Sequence, residues 1–206
     1  MLYRAIPVEE ILTPPLDESG ATKIAILRGM WSTLSTDAAW CADQVANQFR
    51  AASANNIVRM IPVADFSIVQ NASSNPNDRA FAAGDQFPMV YEPLEQADVI
   101  VICCSDTYGL PDSNVVRVME RFRVRYQDKD TGKLPLLGKC GGVVVVGGPG
   151  SFQAASDIAR AMTCLGINVA GRAVISWDSV HNDPRKDMKF SKRVEDLPNL
   201  LRNSRR

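Results

Sequence analysis

Three short stretches carry the residues best suited to chemistry, and together they suit the capture of a flat, phosphorylated ligand. The first, Arg28-Gly29-Met30-Trp31-Ser32-Thr33-Leu34-Ser35-Thr36, leaves an apolar run and enters a helical pattern. Its hydroxyls and the free N–H groups of a helix start would attract a phosphate, because helix N-termini favour anions. Ser35, Thr36 and Asp37 also fit as ordinary N-caps, and a cap can double as an anion site. The second, Ser105-Asp106-Thr107-Tyr108-Gly109-Leu110-Pro111-Asp112-Ser113-Asn114, sets an aromatic and a glycine beside open backbone groups. Such a loop can flank a ring system; a turn with Asp112 or Ser113 as helix cap uses the same residues. The third is Gly147-Gly148-Pro149-Gly150-Ser151-Phe152-Gln153. Its glycines let a ligand approach the backbone closely, and Ser151 reads as an N-cap. A simple tight strand-to-helix turn is the alternative here.

The elements needed to position these loops are legible in the hydrophobic pattern. Five apolar segments alternate with helical periods: Lys23–Leu27, Ile57–Ile61 stopped by Pro62, Val99–Cys104, Val143–Val146 set between glycine pairs, and a fifth near Val169–Trp177. The third and fourth are apolar at every position, as strands covered on both faces are, which argues for a parallel sheet. Between them lie the stripes Ala38, Ala42, Val45, Phe49, Ala52 and Val115, Val118, Met119, Phe122, Tyr126. The clearest stripe is Phe152, Ala155, Ile158, Ala159, Met162 and Leu165, closed by Gly166 as a C-terminal stop. Shorter helices are expected at 90–97 and 191–203. The β-α-β order implies right-handed crossovers. The expectation is an α/β, doubly wound, five-stranded parallel sheet in the order 2-1-3-4-5. Residues 1–22, broken by Pro14, Pro15 and Gly20, read as an arm, and 23–206 as the domain. Residues 62–88 form the longest irregular stretch, a loop or flap.

Composition narrows the classes. The chain has 206 residues, 46% hydrophobic and 22% charged, with 23 basic and 23 acidic side chains. That length suits one domain. Balanced charge gives no general pull toward nucleic acid or anionic membrane. No apolar run approaches the roughly 18 residues that span a bilayer, and the first residues lack a signal-peptide core, so a cytoplasmic protein is expected. The five cysteines, Cys41, Cys103, Cys104, Cys140 and Cys164, form no CxxC pair and read as reduced, mostly buried thiols. With a single histidine, His181, in a polar stretch, no metal cluster or Ser-His-Asp arrangement is expected. There is no GxxxxGK[ST], no GxGxxG after the first strand, and no acidic pair there of the phospho-receiver kind. The helix bearing Arg117, Arg121, Arg123 and Arg125 reads as a solvated basic face; the 2′-phosphate of NADPH is the sharper alternative.

In these stretches the sequence resembles the NAD(P)H-dependent FMN reductases and the related flavodoxin-like iron–sulfur flavoproteins. KIAILRG with Ser35-Thr36 resembles the family's first strand and phosphate loop. GDQFPMVYEPLEQADVIVICCSDTYG resembles its acidic segment, short helix, third strand and tyrosine loop. GKCGGVVVVGGPGSFQAA and CLGINVAG resemble its fourth strand with glycine loop and its approach to the fifth. The likeness covers about residues 22–177. It implies FMN as cofactor and NAD(P)H as co-substrate. Ser35 and Thr36 would hold the phosphate, with Gly29 letting the chain turn and Met30, Trp31 and Ser32 lining the loop. Ser105, Asp106, Thr107, Tyr108 and Gly109 would flank the isoalloxazine, and Gly147, Gly148, Gly150 and Gln153 its other edge. Met30 and Trp31-Ser32 stand where the family has a small polar and then a basic residue. Asp106 replaces the family's proline and would place an acid near the reduced flavin. The cysteine cluster of the iron–sulfur branch is absent from 62–88.

The resemblance implies no side-chain acid or base, a small acceptor such as a quinone, free flavin or metal ion, and a homo-oligomer, dimer or tetramer. Two other readings share the fold. An electron carrier of the flavodoxin type would be strongly acidic to dock basic partners, unlike this neutral chain. A scaffold without flavin would keep the architecture alone.

Overall fold

The computed structural model describes residues 21–29, 36–69, 84–126, 134, 136–179 and 181–204. In chain order these form β1 (Lys23–Gly29), α1 (Thr36–Ala52), β2 (Ile57–Pro62), α2 (Phe87–Gln96) and β3 (Val99–Thr107). There follow β4 (Leu110–Pro111), α3 (Ser113–Tyr126), β5 (Cys140–Gly147), α4 (Ser151–Cys164), β6 (Asn168–Asp178) and α5 (Met188–Asn203). The sheet runs β2-β1-β3-β5-β6, every neighbouring pair parallel. Among the long strands this is the expected order 2-1-3-4-5. The addition is β4, a two-residue strand antiparallel to the end of β3.

Alternation along each strand assigns the two cores. Ile24 and Ile26 of β1, with Val101 and Cys103 of β3 and Val144 and Val146 of β5, pack against α1 and α5. Ala25 and Leu27, with Ile100, Ile102, Val143 and Val145, pack against α2, α3 and α4. A strand buried on both faces must be apolar throughout, which is why the runs at 99–104 and 143–146 carry no polar interruption. The aromatic centre of the second core is Phe122 with Phe87 and Tyr91, ring centroids 5.5 Å from each.

Three details depart from the sequence pattern. Ala52, at the end of the α1 stripe, is exposed. Phe152, placed in the α4 stripe, is 69% exposed, because the buried face of α4 runs through Ser151, Ala154, Ala155, Ile158 and Met162, and Phe152 lies to one side of it. Arg121, read as part of a solvated face, is 9% exposed and lies over the Phe87 ring, 5.0 Å from its centroid. Gly166 does stop α4 as expected, at φ 92°.

The stretch expected to be irregular, 62–88, is shorter in the structure, since Pro62 ends β2 and Phe87 begins α2, and the chain between them is tied together near its two ends. A 3₁₀ turn covers Val63–Asp65. Gln86 N–H donates to Ser67 O at 2.8 Å, and Ser67 N–H donates to Gln86 Oε1 at 2.7 Å. Residues 70–83 lie outside the described residues, as does the arm at 1–20. Among the described residues no helix is long and apolar enough to cross a membrane.

The final helix starts three residues earlier than the pattern indicated, at Met188, because Asp187 caps it: Asp187 Oδ1 accepts from Phe190 N–H at 2.8 Å. Asp187→Ala is expected to cost about 1 kcal/mol of stability, the usual effect of losing such a cap. A urea unfolding curve reads this as a lower midpoint with unchanged slope.

Candidate functional site at the carboxyl edge

In an open α/β sheet the ligand crevice lies beyond the carboxyl ends of the strands, beside the point where strand order reverses. Here that point lies between β1 and β3. The loop after β1 is described only at its ends. Met30, Trp31, Ser32 and Ser35 fall outside the described residues, and Thr36 is seen only as the first residue of α1.

Gly29 is buried within β1, and its role differs from the turn expected of it. A Cβ there would lie 2.1 Å from Val115 Cγ2 and 3.3 Å from Asp112 Oδ1. The residue is glycine because the start of α3 packs against the end of β1. Asp112 caps that helix, accepting from Asn114 N–H at 2.9 Å and Val115 N–H at 3.4 Å. Burial raises its pKa above the usual aspartate value, against the opposing pull of those amides.

The loop after β3 is a hairpin. Asp106 pairs with Pro111 and Thr107 with Leu110, leaving Tyr108-Gly109 as a two-residue connection. Both have positive φ, 53° and 81°, the signature of a type I′ turn. Glycine accepts this freely; tyrosine does not. Tyr108 is 99% exposed, so no packing of its ring compensates the backbone strain. Strain held in an exposed aromatic at a crevice is the pattern that links an outlier to function.

Asp106 joins this hairpin to the glycine loop after β5. Its Oδ2 accepts from Gly109 N–H at 3.0 Å, and its Oδ1 accepts from Gly148 N–H at 2.9 Å. The acid does not stand unpaired in the crevice; two backbone amides hold it. The glycines follow from this junction. A Cβ on Gly147 would fall 1.8 Å from Asp106 Oδ1, and one on Gly150 would fall 2.3 Å from Gly109 Cα. Two of the three glycines therefore serve loop-to-loop contact, while Gly148 alone faces open space, with nothing within 4 Å of a built Cβ.

Two further expectations change. Gly150, not Ser151, is the N-cap position of α4, and Ser151 is a buried first helical residue. Gln153 lies on the exposed face of α4, where its Nε2 donates to Asp157 Oδ2 at 3.1 Å. Ser105 is half-buried and Thr107 exposed, both at the end of β3.

Further residues, given no role at the site from sequence, complete the edge. Leu110 (68% exposed) and Phe152 (69%) are apolar side chains presented to solvent near the Gly109–Gly150 contact. Beyond β6, Arg185 Nη1 donates to Asp37 Oδ1 of α1 at 2.6 Å across 148 residues of sequence, and its guanidinium lies 5.5 Å from the Trp40 centroid. Ser179 N–H donates to Gly147 O at 2.8 Å. No sequence signal pairs groups so far apart. The Thr-Tyr-Gly-Leu run, with glycine second in a two-residue turn, could have disclosed the hairpin.

Three of the four buried cysteines offer no ready nucleophile. Burial raises the thiol pKa of Cys41 and Cys103 far above the ordinary value and that of Cys104 to about 12, in Cys104 with further help from Asp112. His181 is exposed, 2.8 Å from Asp178 Oδ2. Among the described residues no group of three or more His, Cys, Asp or Glu could hold a metal ion.

The layered order and the crevice at the β1/β3 reversal define a flavodoxin-like fold. Solved structures of that architecture match it. RosB, with bound 8-demethyl-8-formylriboflavin-5′-phosphate intermediate, superposes at TM-score 0.75 and 17% identity, covering 90% of this chain and 79% of that one. An NADH:FMN oxidoreductase (EMOB, apo form) matches at TM-score 0.62 and 13% identity, over 88% and 90% of the two chains. The azoreductase of Bacillus anthracis str. Sterne matches at TM-score 0.62 and 12% identity, over 88% and 99%. No protein-family model and no curated protein sequence matches the chain. At these identities the likeness is one of fold.

Proposed function

We propose that the chain binds FMN at this carboxyl edge and acts as an NAD(P)H-dependent oxidoreductase with a small acceptor such as a quinone, free flavin or metal ion. The observation that carries this reading is the pairing of a strained, fully exposed Tyr108 with an open Gly148, at the ends of adjacent strands. A flat ring would stack on an aromatic that nothing else covers and meet a backbone with no side chain in the way. Two proteins of similar fold, an NADH:FMN oxidoreductase and RosB with its riboflavin phosphate derivative, support the same ligand class.

Bound FMN would supply hydride acceptance and onward electron transfer, while the protein supplies orientation and electrostatics. Ser35 and Thr36 would hold the phosphate, with Met30, Trp31 and Ser32 lining that loop. Ser105, Asp106, Thr107, Tyr108 and Gly109 would form one wall, and Gly147, Gly148 and Gly150 the other, with Gln153 at the rim. Leu110 and Phe152 would exclude water from the acceptor side. No acid or base among these side chains is required. The assembly would be a cytoplasmic homo-oligomer.

Titration of the purified chain with FMN tests the reading: flavin fluorescence should be quenched at micromolar protein, and NADPH should then bleach the bound flavin's visible absorbance. Absence of quenching would leave a flavin-free scaffold. Quenching without an NADH or NADPH bleach would leave an electron carrier. Tyr108→Asn gives a second check, since asparagine tolerates positive φ. It should raise stability by about 1 kcal/mol while weakening FMN binding severalfold. Thermal unfolding and fluorescence titration on one sample read both effects.

A further inference from the structure

We infer that the hollow between the open edge of β6 and α5 binds a small organic acid with two carboxylates, at a site separate from the carboxyl edge. Its volume is about 360 Å³, and Arg172, Arg193, Asp196, Asn199, Leu200 and Asn203 line it. Small-molecule sites run from about 300 to 1,000 Å³, so this one suits a compact metabolite rather than a dinucleotide.

Two features of the chain build the hollow. β6 is the last strand of the sheet, so one of its edges carries backbone groups with no neighbouring strand. Midway it leaves register: β5 advances from Gly141 to Val143 while β6 advances from Val169 to Val174. The extra residues form a bulge. Arg172 lies in it, exposed, beside Gly171, where a built Cβ would meet nothing within 4 Å. The second feature is a polar stripe on α5. Phe190, Val194, Leu197 and Leu201 fill the core. The lining residues of α5 recur at spacings of three and four on the neighbouring face.

The polar groups of the hollow are mostly donors, and its charge is positive. Arg193 is held in place, since its Nη2 donates to Val174 O on the strand edge at 2.8 Å. Among the described residues no acid pairs with Arg193, and Arg172 has neither a hydrogen bond nor an ion pair. The one acid of the lining, Asp196, meets Lys192 Nζ at 3.0 Å, which offsets its charge. The carboxyl end of α5 opposes an anion with about half a charge, less than two guanidiniums supply. Each guanidinium is a planar fork that matches a carboxylate. Leu200 offers a carbon chain an apolar contact. Two such forks with an apolar residue in the same hollow match a dicarboxylate better than a bare inorganic ion.

Calorimetric titration of the full chain with succinate tests this, at ionic strength matched with sodium chloride. Wild type should give a saturable heat. Arg172→Gln should weaken succinate at least about tenfold, the effect of losing a charge-assisted pair. Asp196→Asn removes the opposing charge and should tighten it severalfold. Arg59→Gln removes one exposed positive charge from β2, at the other edge of the sheet, and should change nothing. FMN quenching should be the same in Arg172→Gln as in wild type, so this site and the proposed function stand or fall separately. No saturable heat with wild type overturns the inference. So does equal weakening by Arg59→Gln, which would mean general charge attraction. Inorganic phosphate binding as tightly as succinate overturns the dicarboxylate assignment.

Discussion

Asp85→Ala is expected to lower the unfolding free energy by about 3–5 kcal/mol, the cost of breaking a buried ion pair from one side. The Asp85 side chain is 0% exposed and that of Arg121 10%, with Oδ2 and Nη2 2.5 Å apart. The other carboxylate oxygen accepts from Val69 N–H and Phe87 N–H, each at 3.2 Å. One side chain thus joins the loop after the 3₁₀ turn, the start of α2 and the middle of α3. Its removal strips an acceptor from two amides and takes a carboxylate from a guanidinium stacked on Phe87. Urea unfolding would show a large drop in midpoint at constant slope. The double variant Asp85→Ala/Arg121→Met should recover at least half of the loss, because removing both charges avoids stranding one. A loss under about 1 kcal/mol would place the pair among exposed salt bridges and refute its structural role.

Gly150→Ala should separate the two walls of the crevice. The added Cβ would fall 2.3 Å from Gly109 Cα, 2.5 Å from Gly109 N and 3.2 Å from Tyr108 C. All three are backbone atoms, so no side-chain rotation relieves the clash, and overpacking of this kind costs about 1–3 kcal/mol. The hairpin must move away, and both Asp106 hydrogen bonds lengthen with it. FMN quenching should be lost. Gly148→Ala is the contrast: with nothing within 4 Å of its Cβ, it should keep stability within about 0.5 kcal/mol and still weaken FMN binding. Equal FMN affinity in Gly148→Ala and wild type would show that the ligand does not approach this loop.

Much of the architecture could be read in advance because it depends on local and periodic properties. The runs at 99–104 and 143–146 are apolar throughout since both faces are covered. Gly166 ends α4 because only a residue at ease with positive φ can. Misreadings occurred where two elements had to be known together. Phe152, counted in the α4 stripe, protrudes, because the face that is buried is centred on Ser151, Ala155 and Met162, and only the packing against the sheet shows where that centre lies. Arg121 sits on a face rich in arginine, and only the position of Asp85 makes it an interior residue.

The glycines show the same division at the candidate site. That Gly29, Gly147, Gly148 and Gly150 mark loops at the strand ends follows from composition and order. Why each is glycine does not. Gly29 yields to Val115, Gly147 to Asp106 and Gly150 to Gly109, and Gly148 alone stays open. Likewise the sequence shows an acid at 106 but not its two amide partners, one three residues ahead and the other on the next strand's loop.

The order of elements, the parallel sheet and the location of three loops at its carboxyl edge were determined by the sequence alone, because hydrophobic period and glycine placement act over short range. The Asp106 junction, the Asp85–Arg121 pair and the Arg185–Asp37 bridge were decided only by tertiary structure. Each joins groups far apart in the chain, and short-range patterns carry no information about which distant partner a charge will meet.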